Sequence, residues 1–432
     1  LTDISSYDSF DIEGTTVRYR FSWGEHSCVY RLQVLGDEAL AAPDPALAFR
    51  VGLGLAPYFF SFLTPDRLLV RAGPLARDEQ AQWERWYTHG LAEKSYRQGL
   101  DPGTRLEVEA QHDAPAACAG GGAPSDETLL MNGGGKDTAV AAELLRAAGV
   151  RFRWLSVNEK PAQRGLREAS GQPAGLQVRG GWEKLPPVAA FRYQGMPPLL
   201  LFYDLAAVLA ARMAGAQAVA VGNERSADFG NLSYRGLEVN HQYTKSEAFE
   251  RELAGMVEAL GCGVRFYSPL RPLYELQIAE AFAALPQYHA HFMSCNEGQL
   301  GGRRQWCGRC AKCAFLALIL GPFLTAEETR AVFGRDFLDD PVLLPALLEI
   351  AGLEGHKPFE CVGRPEEALA AVEAWPADRE PPLAIRELRT RVPAEARRAA
   401  AAEIRGAWGP PGLIPADLLP RLQEAWQRMR GR

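Results

Sequence analysis

Glu127-Thr-Leu-Leu-Met-Asn-Gly-Gly-Gly-Lys-Asp-Thr138, running on into Ala139-Val-Ala-Ala-Glu-Leu-Leu-Arg-Ala-Ala148, is the stretch that decides the fold. Glu127–Met131 reads as a buried strand and the segment from Thr138 as an amphipathic helix. Three glycines, a lysine, an aspartate and a threonine lie between them. Glycines let backbone N–H groups approach an anion closely, and the new helix aims its positive end at the same place. The arrangement is that of a phosphate cradle.

Two common cradles do not fit. A Walker A loop needs Gly-Lys followed directly by Ser or Thr, and here Asp137 follows Lys136. A dinucleotide fingerprint needs G-x-G-x-x-G, which Gly133 to Thr138 do not supply. The run Gly133-Gly-Gly-Lys-Asp-Thr138 instead resembles the S-G-G-x-D-S loop of ATP pyrophosphatases, enzymes that adenylate a substrate and release pyrophosphate. Gly133 replaces the first serine of that loop and forfeits its hydroxyl; Thr138 keeps the last one.

Outward from the loop, strand and helix alternate, the pattern of a parallel sheet with right-handed crossovers. Strands are expected at Phe152–Asn158, Gln217–Asn223 and Val264–Ser268, and helices at Leu199–Ala214 and Glu247–Leu260. Ligands in such sheets sit beyond the carboxyl ends of the strands. Those ends are polar here: Asn132–Asp137, Asn158-Glu159, Asn223–Asp228 and Ser268-Pro269, which suits one nucleotide pocket. Upstream, residues 9–35 alternate apolar and polar, predicting a two- or three-stranded antiparallel meander with one wet face. Ala46–Leu63 and Arg77–Gly99 read as helices, the second with Trp83, Trp86, Tyr87 and Tyr96 in its core face. Downstream of Leu316 the chain is mostly helical, with prolines marking helix starts. The expected fold is therefore α/β. An N-terminal α+β domain spans 1–112 and a Gly/Ala/Pro-rich linker 113–125. A parallel-sheet phosphate-loop domain spans 126–320, and a helical C-terminal region 321–432.

At 432 residues the chain exceeds one ordinary core. A net charge of −6 argues against nucleic acid held on a broad basic face. No apolar stretch is long enough to span a bilayer, and the start lacks basic and apolar leader regions, so a cytoplasmic location is the default expectation. Of eight cysteines, Cys295, Cys307, Cys310 and Cys313 crowd together while Cys28, Cys118, Cys262 and Cys361 are scattered. In a reducing compartment such a crowd indicates metal. Two-residue gaps let sulfurs converge, Gly308 permits the tight turn, and four thiolates suit a closed, structural Zn²⁺ site. An iron–sulfur cluster is the other option.

Three further runs carry chemistry. In Asn223-Glu-Arg-Ser-Ala-Asp228, Glu224 and Asp228 could hold Mg²⁺ or position a carboxylate substrate, and Arg225 could neutralise phosphate or carboxylate. Asn240-His-Gln-Tyr-Thr-Lys-Ser246 offers His241 and Lys245 as proton carriers ahead of a helix cap. Gly355-His-Lys-Pro-Phe-Glu-Cys-Val-Gly363 packs His356 and Cys361 among charged neighbours, where a thiol is depressed toward thiolate and suits abstraction of a carbon-bound proton.

The loop at 133–138, the Asn223–Asp228 loop and the four cysteines together resemble the adenine-nucleotide alpha-hydrolase fold. Within it, they are similar to the zinc-bearing enzyme that makes 7-cyano-7-deazaguanine from a carboxylate. Residues 240–246 and 356–363 resemble more closely the MurL family, ATP-dependent epimerases of UDP-muramoyl dipeptides in peptidoglycan precursor synthesis. The resemblance covers roughly residues 125–375 and implies ATP and Mg²⁺ as cofactors and a UDP-muramoyl dipeptide as substrate. It implies activation of the terminal L-glutamate as an acyl-adenylate, inversion to D-glutamate, and release of AMP and pyrophosphate. Gly133, Gly134, Gly135 and Thr138 would then hold phosphates, Lys136 would add charge and Asp137 would hold Mg²⁺, with Asn132, Asn158 and Asn223 in the nucleotide pocket. His356 and Cys361 are the expected acid/base pair, with His241 and Lys245 behind them. A ligase using the same adenylate and a non-catalytic nucleotide-binding protein are the alternatives from other classes.

Overall fold

The computed structural model describes residues 4–57, 67–101, 106–113, 117–119, 125–172, 174–184, 198–298, 305–406 and 408–430. The expected linker at 113–125 lies largely outside these residues, as does the end of the helix expected over 46–63.

The chain opens with strands β1 (Ile4–Glu13), β2 (Thr16–Trp23) and β3 (His26–Leu35), which form the expected antiparallel meander. Alternate residues Val17, Tyr19, Phe21, Cys28, Tyr30 and Leu32 are buried. Arg18 and Arg20 lie on the wet face beside Asp11, Glu13 and Glu183. Helix Pro45–Leu55 follows, capped by Asp44, and then β4 (Arg67–Leu75), helices Arg77–Gly90 and Ala92–Gln98, and β5 (Glu107–His112). The sequence predicts one helix over 77–99, but the structure breaks it at Leu91, whose φ of −104° and ψ of 8° leave the helical region. Gly90 meets Pro198 at the break so closely that a Cβ there would lie 2.8 Å from the ring. The second helix is thereby re-aimed.

Next come β6 (Ser125–Met131), helix Lys136–Ala147, β7 (Phe152–Val157), helix Pro161–Ala169, β8 (Gly175–Lys184), helix Leu199–Ala214 and β9 (Ala216–Ala220). A short hairpin of β10 (Leu232–Tyr234) and β11 (Leu237–Val239), helix Glu247–Ala259 and β12 (Arg265–Tyr267) complete the strands. Ten strands form one sheet in the order β12-β9-β6-β7-β8-β3-β2-β1-β4-β5. Pairings from β12 through β8 are parallel, those from β8 through β1 antiparallel, and β1-β4 and β4-β5 parallel again. The sheet is therefore mixed and mostly parallel. The N-terminal meander joins the glycine-loop half directly, through β3 against β8.

Successive side chains of a strand point to opposite sides, and around β6, β7 and β9 both faces are covered, whereas the meander keeps one face wet. Leu129, Leu155 and Val219 enter the core shared with helices Pro45–Leu55 and Leu199–Ala214. Their neighbours Leu130, Trp154, Ala218 and Ala220 enter the other core, which the C-terminal helices cover. Those include Glu275–Ala283, Ala311–Leu320, Pro365–Glu373 and Leu419–Arg430. No described helix is long and apolar enough to cross a membrane.

Candidate active site

A cavity of about 410 Å³ opens where parallel strands end. Met131 closes β6, Val157 closes β7 and Val221 follows β9, and all three line it.

The glycine loop forms one wall. Gly134 has φ 77°, a left-handed conformation that side chains resist, and a Cβ there would press on Ala162 and Gln163. Asn132 fixes the loop: its Oδ1 accepts from Gly134 N–H at 3.1 Å, and its amide donates to the Gln163 carbonyl at 2.8 Å. Gly133 N–H donates to Thr138 Oγ1 at 3.1 Å. These two glycine donors are thus already engaged. The N–H groups of Lys136, Asp137 and Thr138, which open the helix Lys136–Ala147, have no acceptor among the described residues and point their dipole at the cavity. The Lys136 ammonium is 2% exposed and is shared by Asp137 and Glu275. Burial works against its charge, but the two carboxylates outweigh burial and hold it protonated.

Asn223 also lines the cavity, its amide donating to Glu250 Oε1 at 2.7 Å. The other residues predicted from that loop lie behind the wall. Glu224 is fully buried, 3.8 Å from Lys245 Nζ, and neither of its oxygens has a hydrogen-bond partner among the described residues. Arg225 lies 4.7 Å over the Tyr274 ring, and Asp228 accepts from Glu247 N–H at 2.7 Å. Asn158 is outside the cavity lining. It adopts φ 47° at the end of β7 and accepts from Gly180 N–H at 2.8 Å, tying β7 to β8.

The two late motifs meet at the opposite wall. Asn231 clamps them: its Oδ1 accepts from His241 N–H at 2.7 Å, while its amide donates to the Lys357 and Pro358 carbonyls at 3.1 and 2.7 Å. Gln242 adds a bond to the Val362 carbonyl at 3.1 Å. Held this way, His241, Lys245 and Cys361 all line the cavity. His356 does not. Its ring packs against Tyr96 and Phe359 and its Nδ1 lies 2.9 Å from the Lys357 carbonyl.

Cys361 is electrostatically unusual. Burial alone would push its thiol up, but the ammonium groups of Lys312 and Lys245 and a hydrogen bond and charge from His241 bring it down to about 5. For His241, burial favours the neutral ring. The hydrogen bonds to Cys361 and Glu93 overcome it and raise the imidazole to about 9. Between those values the pair is thiolate and imidazolium, an arrangement suited to moving a proton.

Glu93, Lys312 and Asp204 belong to this cavity and were not foreseen. Asp204 is 4% exposed; burial and the nearby Glu250 hold its carboxyl well above the usual range, against the pull of Lys245. In sequence it is one acid in an apolar helix, which was a signal that could have been read.

The four clustered cysteines lie beside the cavity. The sulfur separations are 3.8 Å for Cys295–Cys310, 3.7 Å for Cys307–Cys313 and 3.6 Å for Cys310–Cys313. A metal–sulfur bond of about 2.3 Å in a tetrahedron separates neighbouring sulfurs by about 3.8 Å, so the residues fit a single ion. Gly308 turns the knuckle at φ 65°, and Gly298 N–H donates to Cys295 Sγ at 3.3 Å. Cys310 and Cys313 begin the helix Ala311–Leu320, which also presents Lys312, Phe315 and Leu316 to the cavity. We expect Cys313→Ser to lose one tightly held metal per chain and to lower the melting temperature by about 5 °C or more. Elemental analysis and calorimetry check this; a metal-free wild type of equal stability would refute it.

A glycine loop at the carboxyl ends of parallel strands, facing a thiol activated by imidazole and lysines, defines an α/β enzyme. The chain belongs to the MurL family. The MurL N-terminal domain is matched over residues 6–269 and the MurL C-terminal domain over residues 291–403. Three curated relatives are each named UDP-N-acetyl-alpha-D-muramoyl-L-alanyl-L-glutamate epimerase. That of Salinispora tropica is 35% identical over 390 residues, covering 86% of this chain and 83% of its own. Those of Xanthomonas oryzae pv. oryzae and a Micromonospora species are 33% and 36% identical, each covering 73% of this chain and 71% of its own.

Proposed function

We propose that this chain inverts the terminal L-glutamate of UDP-N-acetylmuramoyl-L-Ala-L-Glu to D-glutamate, with ATP as co-substrate, in peptidoglycan precursor synthesis. The observation that carries this reading is the placement of Cys361 and His241 in the same cavity as the glycine loop. Kinship with relatives named as epimerases supports the substrate.

Activation has an electrostatic purpose. Removing the α-proton beside a free carboxylate would place two negative charges on one centre. In the proposed reaction a carboxylate oxygen attacks the α-phosphorus of ATP, the bond to pyrophosphate breaks, and the acyl-adenylate carries no charge at the carbonyl. Free N–H groups at Lys136, Asp137 and Thr138 would hold phosphate oxygens, as in an ATP pyrophosphatase loop. Asp137 would hold Mg²⁺, which supplies charge neutralisation at the phosphates. The Cys361 thiolate would accept the α-proton, leaving a delocalised carbanion. The neutral carboxyl of Asp204 would return a proton to the other face, and water would cleave the acyl–phosphate bond to give AMP and the D-glutamyl product. The four cysteines would hold Zn²⁺ as a structural ion.

The test is incubation with ATP, Mg²⁺ and the UDP-muramoyl dipeptide in deuterated water. AMP together with α-deuterated D-glutamyl product is the expected outcome. AMP without inversion would leave a ligase resembling the deazaguanine enzyme, and no consumption of ATP would sink both enzymes. The pH profile should be bell-shaped. Below about 5 Cys361 takes up a proton and can no longer accept one, and at high pH Asp204 loses the proton it would return. A rate that does not fall as pH drops through about 5 would remove Cys361 from the proton path.

A further inference from the structure

One buried carboxylate in the cavity has no part in the steps above. Glu93 comes from the N-terminal region, on helix Ala92–Gln98, and is 6% exposed. The His241 Nδ1–H donates to its Oε2 at 2.5 Å, and Arg97 Nε donates to its Oε1 at 2.6 Å. A buried carboxylate is costly unless both oxygens are satisfied, and here both are. The same helix also braces the segment that carries Cys361. The Arg97 guanidinium lies 4.8 Å over the Phe359 ring, and Tyr96 packs against Phe359 and His356 at 5.4 and 5.8 Å. With Nδ1 committed to Glu93, the His241 ring has only Nε2 left for Cys361.

Resting on the proton-transfer reading, we infer that Glu93 is a positioning residue: it fixes the His241 ring and its protonated form, completing a Cys361–His241–Glu93 relay whose third member comes from the N-terminal region. A carboxylate behind an imidazole sets both tautomer and orientation and sustains the charged ring. The break at Leu91 makes this possible, because it turns Glu93 toward the cavity. Other charges face the same centre. Glu360 lies beside Cys361 and His241, Lys245 reaches Cys361 from the turn Tyr243–Lys245, and Lys312 from helix Ala311–Leu320. Those lysines remain when Glu93 is neutralised, so its removal should weaken the thiolate without abolishing it.

The experiment compares full-length wild type, Glu93→Gln and Glu93→Asp. The first readout is alkylation of Cys361 by iodoacetamide against pH, followed on its own peptide by mass spectrometry. The second is kcat and KM for α-deuterium exchange. Glu93→Gln should move the alkylation midpoint up by about one pH unit and lower kcat by about 10- to 100-fold, with KM for ATP within about twofold. Glu93→Asp should recover part of both. An alkylation profile superimposable on wild type in Glu93→Gln would overturn the relay, as would a kcat loss that merely follows lost thermal stability in both variants. Should wild type show no epimerisation while Glu93→Gln still shifts the alkylation profile, the relay stands and the substrate assignment falls.

Discussion

Cys361→Ser should stop inversion and leave ATP activation running. The substitution removes one sulfur and nothing else of consequence. The serine hydroxyl fits the same space and can still receive a hydrogen bond from His241. What it lacks is the negative charge, because no combination of Lys312, Lys245 and His241 brings an alcohol into the range to which they bring the thiol, about 5. Positioned acid–base groups contribute roughly 10²–10⁴ in rate. Deuterium entry at the glutamate α-carbon should fall by about that factor. AMP and pyrophosphate should still form, now uncoupled from inversion, and the melting temperature should hardly move. Epimerisation at the wild-type rate would take Cys361 out of the proton path.

Asp137→Asn should give the complementary defect. Asp137 lies at the first turn of the helix Lys136–Ala147, within the cavity and bonded to the Lys136 ammonium. Asparagine keeps its shape and one neutral oxygen but loses its charge, and with it an anionic ligand at the place where phosphates would sit. Loss of several kcal/mol of charge stabilisation corresponds to a fall in AMP release of about a thousandfold. Inversion should fall by the same factor, since in the proposed reaction deprotonation follows activation. Lys136 stays paired with Glu275, so the fold should survive. AMP release near the wild-type rate would refute the metal role. Cys361→Ser should thus lose inversion alone and Asp137→Asn both reactions, so the pair separates the two halves of the mechanism.

Much of this was legible in the chain. The strand–glycine loop–helix unit, the parallel strands around it and the convergence of four cysteines follow from local periodicity and spacing, which the folded chain preserves. The family was legible too, in residues 240–246 and 356–363. The single sheet was not. Alternation in 9–35 identifies strands but does not name their partners, and the pairing of β3 with β8 joins segments far apart in sequence. β8 itself contains Gly180 and Gly181, which blur its alternation. Glu93 was invisible for another reason. It sits among charged residues in an expected long helix and reads as solvated surface, until the break at Leu91 turns it inward. His356 and Cys361 illustrate the opposite difficulty. They share one short motif, yet the clamp by Asn231 and Gln242 leaves only Cys361 on the cavity side.

The groups that activate Cys361 arrive from residues 93, 241, 245 and 312, so no stretch of the unfinished chain contains them together with the thiol. Until these elements dock, Cys361 is an ordinary thiol with a pKa near ~8.5, mostly protonated and slow to react. A nascent or partly unfolded copy therefore carries no potent nucleophile to be oxidised or to attack its neighbours. Reactivity is acquired only when these long-range contacts form, which makes the thiolate a chemical report that they are in place.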